Sequence, residues 1–413
     1  MSYTSTNFIL CVLAAVLVAG LLPIRGRVLW LSFLSLGWLA SWHPYLPGVF
    51  LVFFLTQQYC LHRRLLWPLV LVSSLALVFV RLRFPQLSLG SSFYVLILLG
   101  LTMDVLHKRT APLSLGESFL LGSFFPLLMA GPVERAEHFR HSLQQGKLGW
   151  GAFCEGVLIF SLGFLKLHFL QSPLEDLGEN YLKTSGALNL ILGSLLSMAG
   201  LYVTLSSFAD MGRGVARMFG IEVVSSFRPV IYSQDPVDFW ERWNRTVASW
   251  FRDYLVFPSL LRWGRKCPGW FITFMAFLVL GLWHGVALRW LFFGAFNGVL
   301  VTLASYLRKK TRHPLPGRLL FLALFLGNGL LTFVGEVAPG SSPASGVSLP
   351  VTALLIFLAI EGLQEKFQDN DFFLRLPPLV KQLLAVFLFL LWIFLIDHRQ
   401  PFTGTVLPLY FEL

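Results

Sequence analysis

Long apolar runs, separated by short basic or turn-forming interruptions, recur along the whole chain. They fall near Phe8–Ile24, Val28–Trp42, Pro47–Leu61, Leu65–Val80, Ser91–Val105 and Ser118–Val133. Further runs follow at Gly156–Leu170, Ser185–Ala209, Trp270–Ala287, Trp290–Leu307, Leu319–Gly335, Leu349–Ile360 and Leu383–Ile396. A helix needs about 20 apolar residues to cross a bilayer, so the shorter runs are expected to be tilted, re-entrant or broken. The pattern predicts an all-α polytopic integral membrane protein of about 10–12 transmembrane or re-entrant helices. With no internal repeat and no soluble stretch of domain size, the chain reads as a single membrane-embedded domain over residues 1–413.

One region breaks the pattern. Residues 211–268 are polar and aromatic, yet stand between two strongly apolar blocks. From Asp238 to Phe257, the residues Phe239, Trp243, Val247, Trp250 and Tyr254 recur at three- and four-residue steps, with Asp238, Glu241, Arg242, Arg245, Arg252 and Asp253 between them. That spacing predicts one amphipathic helix lying at the membrane interface, its tryptophans at headgroup depth. A plain surface helix that anchors a loop would show the same spacing.

Composition agrees with membrane residence. Of the residues, 56% are hydrophobic and 13% charged, with a mean hydropathy of +0.70. A soluble domain carries about twice that share of charge. The net charge of +11 is therefore read as loops meeting anionic headgroups, and no nucleic-acid partner is expected. Arg25/Arg27, Arg63/Arg64 and Lys108/Arg109 fall on one side, which the positive-inside rule makes cytoplasmic, leaving the N-terminus outside. Phe8–Ile24 lacks a basic leader and a small-residue cleavage site, and so reads as a retained first span. If every segment between Lys108 and Arg213 crossed once, the basic 211–268 region would lie outside, so at least one is expected to be re-entrant. The four cysteines are scattered without metal-ligand spacing or a disulfide framework.

Among nine histidines, His284 differs. It stands in Gly281–Gly285 (GLWHG), inside an apolar run. Ionisable groups at membrane depth are costly and tend to mark a cavity or pathway. Flanking glycines allow close approach, and imidazole suits proton transfer near neutral pH. A histidine hydrogen-bonded between helices is the blander alternative. Asn244, in the polar aromatic stretch, carries an amide able to polarise a carbonyl or orient a hydroxyl, or merely to sit at the interface. Asp210 closes a long uncharged segment, as a functional group or as a helix-end residue. No zinc pattern, phosphate loop, dinucleotide fingerprint or G-x-S-x-G elbow occurs.

Four stretches, in order, resemble elements of the membrane-bound O-acyltransferase family, in the bacterial branch that contains the alginate O-acetylation protein and the D-alanyl transfer protein of teichoic acids. They are FFPLLMAGPVERAEHF (Phe124–Phe139), LSSFADMGRGVARMFG (Leu205–Gly220), FRPVIYSQDPVDFWERWNRTVASWFRDYLVFP (Phe227–Pro258) and GLWHGVALRWLFFGAFNG (Gly281–Gly298). The third resembles the branch's DFWRRWH…WLRDY segment, and the fourth contains the position of the family's invariant histidine. Three positions depart: Asn244 stands where the branch usually has histidine after RW, Thr204–Ser207 replace DFSG, and Asn297 replaces a second histidine.

The resemblance implies a helical bundle with a central funnel or tunnel, built as N-terminal spans (1–115), an acyltransferase core (116–305) and C-terminal spans (306–413). It implies His284 as the general base and Asn244 as its catalytic companion. It assigns substrate contact to Asp210, Asp238, Trp240, Arg242 and Trp243. The same role falls to Arg252, Asp253, Tyr254 and Trp283. Arg242, Arg245 and Arg252 would attract an anionic donor, acyl-CoA or an acyl carrier protein, or else only headgroups; no metal and no tightly bound cofactor is implied. The expected activity is transfer of a short acyl group to an envelope glycopolymer or its carrier at the bacterial inner membrane. A periplasmic or membrane-anchored acyl-handling partner is expected, alongside the membrane lipids. A lipid or protein acceptor, a transporter or flippase without chemistry, and a non-catalytic relative are the competing readings.

Overall fold

The computed structural model describes residues 6–66, 68–75, 88–127, 131–285, 287–311, 313–333 and 349–397. Among them the regular structure is helical throughout, with no strand, as leucine-, phenylalanine- and alanine-rich runs dictate where lipid offers the backbone no partners. The chain resolves into two compact units. The first comprises Met1–Phe164, Ser207–Ser225 and Phe373–Glu412, and the second Leu165–Ser206 and Ser226–Phe372.

The first unit contains α1 (Thr6–Leu21), α2 (Ile24–Trp42), α3 (Leu46–Arg63), α4 (Ser88–Leu106), α5 (Leu115–Ser123), α6 (Ala136–Gln145) and most of α7 (Trp150–Lys166). Its core is aromatic. Phe8 meets Trp38 edge-on at 5.1 Å, and Phe160 lies 4.6 Å from Trp392. Helix α7 runs through a π-helical turn (Leu167–Gln171) into α8 (Ser172–Lys183), and α9 spans Ala187–Met218. Within the first unit α7 and α9 touch backbone to backbone: a methyl at Gly156 would stand 2.6 Å from the Gly214 carbonyl, and one at Gly214 would stand 2.5 Å from the Phe160 nitrogen. Small residues at such crossings replace the hydrophobic drive that lipid cannot supply.

The second unit holds α8, the first part of α9, and α10 (Pro236–Arg242), α11 (Arg245–Phe251), α12 (Phe257–Trp263), α13 (Gly269–His284), α14 (Leu288–Lys310), α15 (Leu315–Phe333) and α16 (Leu349–Phe367). Helix α17 (Pro378–Asp397) returns the chain to the first unit. Helices α13 and α14 form a close hairpin. A methyl on Gly281 would meet the Trp290 carbonyl at 2.2 Å, and one on Gly294 the Phe277 carbonyl at 2.5 Å.

Among the described residues four helices are long and apolar enough to cross a membrane: Trp150–Lys183, Ala187–Met218, Leu288–Lys310 and Leu315–Thr332. Shorter apolar helices cover Asn7–Leu21, Ser92–Leu106, Leu115–Leu127, Gly269–His284 and Pro378–Trp392. The run at Leu65–Val80 lies partly outside the described residues.

Two local expectations are corrected. Asp210 does not end a helix, because α9 continues to Met218. Arg213 pairs with Asp210 at 3.2 Å, and an i,i+3 pair of opposite charges lets the helix carry both past the uncharged run. Nor is Asp238–Phe257 one helix. Helix α10 stops at Arg242, α11 begins at Arg245, and Arg252–Val256 forms a π-helical turn before α12.

Candidate active site

The break at Trp243–Asn244 has a local cause. Asn244 adopts the left-handed conformation (φ 37°, ψ 49°), which asparagine tolerates better than most residues. The strand-like segment before α10 clamps both sides of the kink. Ser226 O accepts the Arg245 N–H at 2.8 Å, and the Arg228 N–H donates to Arg242 O at 2.9 Å. The Ser226 and Thr246 hydroxyls also meet at 3.2 Å. The aromatic positions of this stretch are therefore turned into protein. Phe239, Trp240, Trp243, Val247, Trp250 and Tyr254 are all buried, so they serve as core rather than as a headgroup belt. Trp243 stacks on Phe239 at 5.5 Å, and Tyr254 lies 5.1 Å from Trp250 beside the π turn.

His284 is the last residue of α13, and three rings enclose its imidazole. Trp290 lies nearly parallel to it at 4.9 Å and 19°. Trp283 stands edge-on at 4.8 Å, and Phe293 at 5.3 Å. The same rings reach the kinked helices. Trp283 meets Phe251 of α11 at 6.3 Å, and Phe293 meets Trp240 of α10 at 6.3 Å. Asn244 is the hinge between α10 and α11, the two helices these rings reach. Its side-chain oxygen is buried without a hydrogen-bond partner. The indole N–H groups of Trp240 and Trp290 are likewise buried and unpartnered. Unsatisfied buried polar atoms cost about 1–3 kcal/mol each, and one of these three, the Trp290 N–H, belongs to the ring stacked on His284.

The other sequence candidates separate into distinct surroundings. Arg242 is committed to protein: Asp238 at 2.9 Å, Glu365 at 2.6 Å and the Pro229 carbonyl at 2.9 Å. Asp238 also accepts the Gln234 N–H at 2.9 Å. Arg252 and Asp253 pair at 3.0 Å, with Arg252 about half exposed. Asp210 falls in the first unit, whereas His284 and Asn244 fall in the second. Asn297, at the position of the missing histidine, is fully buried. Its amide donates to Asn328 Oδ1 at 2.7 Å, and the Asn328 amide donates back at 3.2 Å. No group of three potential metal ligands occurs among the described residues.

Trp290, Phe293 and Phe251 all lie inside the motif stretches, yet nothing in the sequence pattern singles them out. Their spacing from His284 carries no periodic signal, because they stand on other helices, α14 and α11. Arg289, whose guanidinium lies 5.5 Å over the Trp290 ring, escaped notice for the same reason.

Among the described residues the membrane protein is all-helical, and one histidine at a helix end is ringed by three aromatic side chains. Residues 49–328 match the family model of the membrane-bound O-acyltransferases, more than half of the chain, and the chain belongs to that family. It is similar to a probable alginate O-acetylase of Azotobacter vinelandii, with 29% identity over 255 residues, 58% of this chain and 50% of that one. It is also similar to a teichoic acid D-alanyltransferase of Bacillus subtilis (26% over 225 residues, 50% and 55%). A peptidoglycan O-acetyltransferase of Helicobacter pylori shares 25% over 216 residues, 50% and 41%. The chain spans about half the length of the curated relatives it matches.

Proposed function

We propose that this chain is an O-acyltransferase moving a short acyl group, acetyl or similar, from a cytoplasmic thioester donor to a hydroxyl of an envelope glycopolymer or its carrier. The observation that carries this is the enclosure of His284 by the rings of Trp283, Trp290 and Phe293. The relatives named for alginate, teichoic acid and peptidoglycan support an envelope polymer as acceptor.

In this reading His284 takes the proton of the attacking hydroxyl, a role worth about 10²–10⁴-fold in rate. The Asn244 amide polarises the thioester carbonyl or orients the acceptor, its N–H donating to an oxygen so that the hydroxyl proton is left to His284. The ring cage keeps water from the thioester. Arg252 and Asp253 stand at the accessible end and serve donor contact, whereas Arg242 holds α10 to α16. Acyl-CoA or an acyl carrier protein supplies the acyl group, and no tightly bound cofactor is needed. The protein resides in the bacterial cytoplasmic membrane, its N-terminus extracytoplasmic, and acts with a periplasmic or membrane-anchored partner that handles the acyl group.

The test is ester-linked acyl released by mild alkali from envelope fractions of cells carrying the wild type, His284→Ala or vector alone. Ester that depends on the wild type and disappears with His284→Ala, at equal protein level, supports the proposal. Equal ester in all three overturns the envelope acceptor, and equal ester from wild type and His284→Ala overturns the role of His284.

A further inference from the structure

General-base chemistry accounts for one half of acyl transfer. The other half is the negative charge that develops on the thioester oxygen when the hydroxyl adds, and it needs a hydrogen-bond donor already in place. Trp290 presents such a donor. It is 5% exposed, its ring lies flat against His284 at 4.9 Å, and its indole N–H has no partner. Indole is a donor only. A buried, unused donor stacked on a base is an expensive arrangement unless a ligand completes it.

The stack holds the indole that carries this donor directly against the imidazole, the ring centroids 4.9 Å apart. The Arg289 guanidinium, 5.5 Å over the Trp290 ring, adds positive charge near where the oxyanion forms. The close seat of Gly281 on the Trp290 carbonyl fixes the backbone that carries the indole.

We propose that Trp290 is a second catalytic residue, whose indole N–H donates to the oxyanion of the tetrahedral intermediate; this rests on the acyl-transfer reading above. His284 takes the hydroxyl proton as the new C–O bond forms, and the carbonyl π pair moves onto oxygen, where the Trp290 N–H holds it. Collapse restores the C=O, breaks the C–S bond, and the departing thiolate takes the proton back from the imidazolium. Atoms and charge balance without a further reactant.

The experiment uses the full chain in inverted membrane vesicles with acetyl-labelled acetyl-CoA as probe, reading alkali-labile label in envelope polymer per copy of the chain. Trp290→Phe keeps an aromatic face against His284 and deletes the N–H. We expect kcat to fall about 10²-fold or more with KM for the probe within about 3-fold, because the donor acts chiefly on the transition state. Benzothienylalanine at position 290, which keeps the bicyclic shape and replaces N–H by sulfur, should fall equally. That second variant separates the donor from packing. A wild-type kcat with either substitution overturns the proposal and leaves Trp290 as a stacking wall. Label that is absent from wild-type vesicles and from the cell assay overturns instead the acyl-transfer reading on which this one depends.

Discussion

At the scale of single residues, Asn244 sets the backbone and, in the proposed function, also serves the chemistry. Its positive φ makes the kink that parts α10 from α11, and its side-chain oxygen is buried without a hydrogen-bond partner. The two roles are separable. Asn244→Gly keeps the left-handed turn at no steric cost and removes only the amide. It should fold with a melting temperature near that of wild type, yet acylate about 10²-fold more slowly, as a mispositioned nucleophile does. Asn244→Ala should add a folding penalty of about 1 kcal/mol, because a methyl side chain disfavours this conformation. Thermal unfolding in detergent alongside the ester assay checks both, and full activity in Asn244→Gly would reduce the residue to a turn former.

At the scale of elements, close helix contacts are set by what is missing. Gly281 and Gly294 let α13 and α14 meet backbone to backbone, and Asn297 and Asn328 clasp α14 to α15. The family's second histidine position has thus become an interhelical amide pair, completely buried on the Asn297 side. Asn297→Leu should cost about 1–2 kcal/mol by stranding the Asn328 amide. Asn297→Leu with Asn328→Leu should recover part of that loss, since both polar groups then go together. A double-mutant cycle on unfolding midpoints measures the coupling, and strictly additive losses would refute the clasp. The kinked α10–α11 pair was unreadable from periodicity because its apolar spacing is that of a continuous helix. Only the hydrogen bonds from Ser226 and Arg228 reveal the break.

At the scale of the whole molecule, stability should carry a pH signature outside the membrane-spanning helices. Buried Glu134 accepts His138 Nδ1 at 2.8 Å and the Val224 N–H at 3.0 Å, tying α6 to the segment after α9 within the first unit. The Glu134 carboxylate raises the His138 imidazole above its usual value of 6.5. A raised histidine stabilises the fold fully below about pH 6.5, and that contribution is lost as pH rises through the higher folded value. His138→Gln should therefore unfold at a lower temperature than wild type near pH 6, with the gap closing towards pH 9. A gap that widens with pH would contradict the assignment.

Much of this protein was legible in its sequence. Apolar run length and scarce charge determined a helical membrane protein, because lipid satisfies no backbone group and leaves helices few rivals. The motif order carried the family, and the cost of an ionisable group in an apolar run pointed to His284. Tertiary structure decided the rest. Which face of α14 meets the imidazole, whether Arg242 is free or bound by Asp238 and Glu365, and whether Asp238–Phe257 bends all depend on partners far away in sequence. Residue spacing encodes which side chains share a helix face, but not which distant carbonyl, carboxylate or ring fills the space opposite.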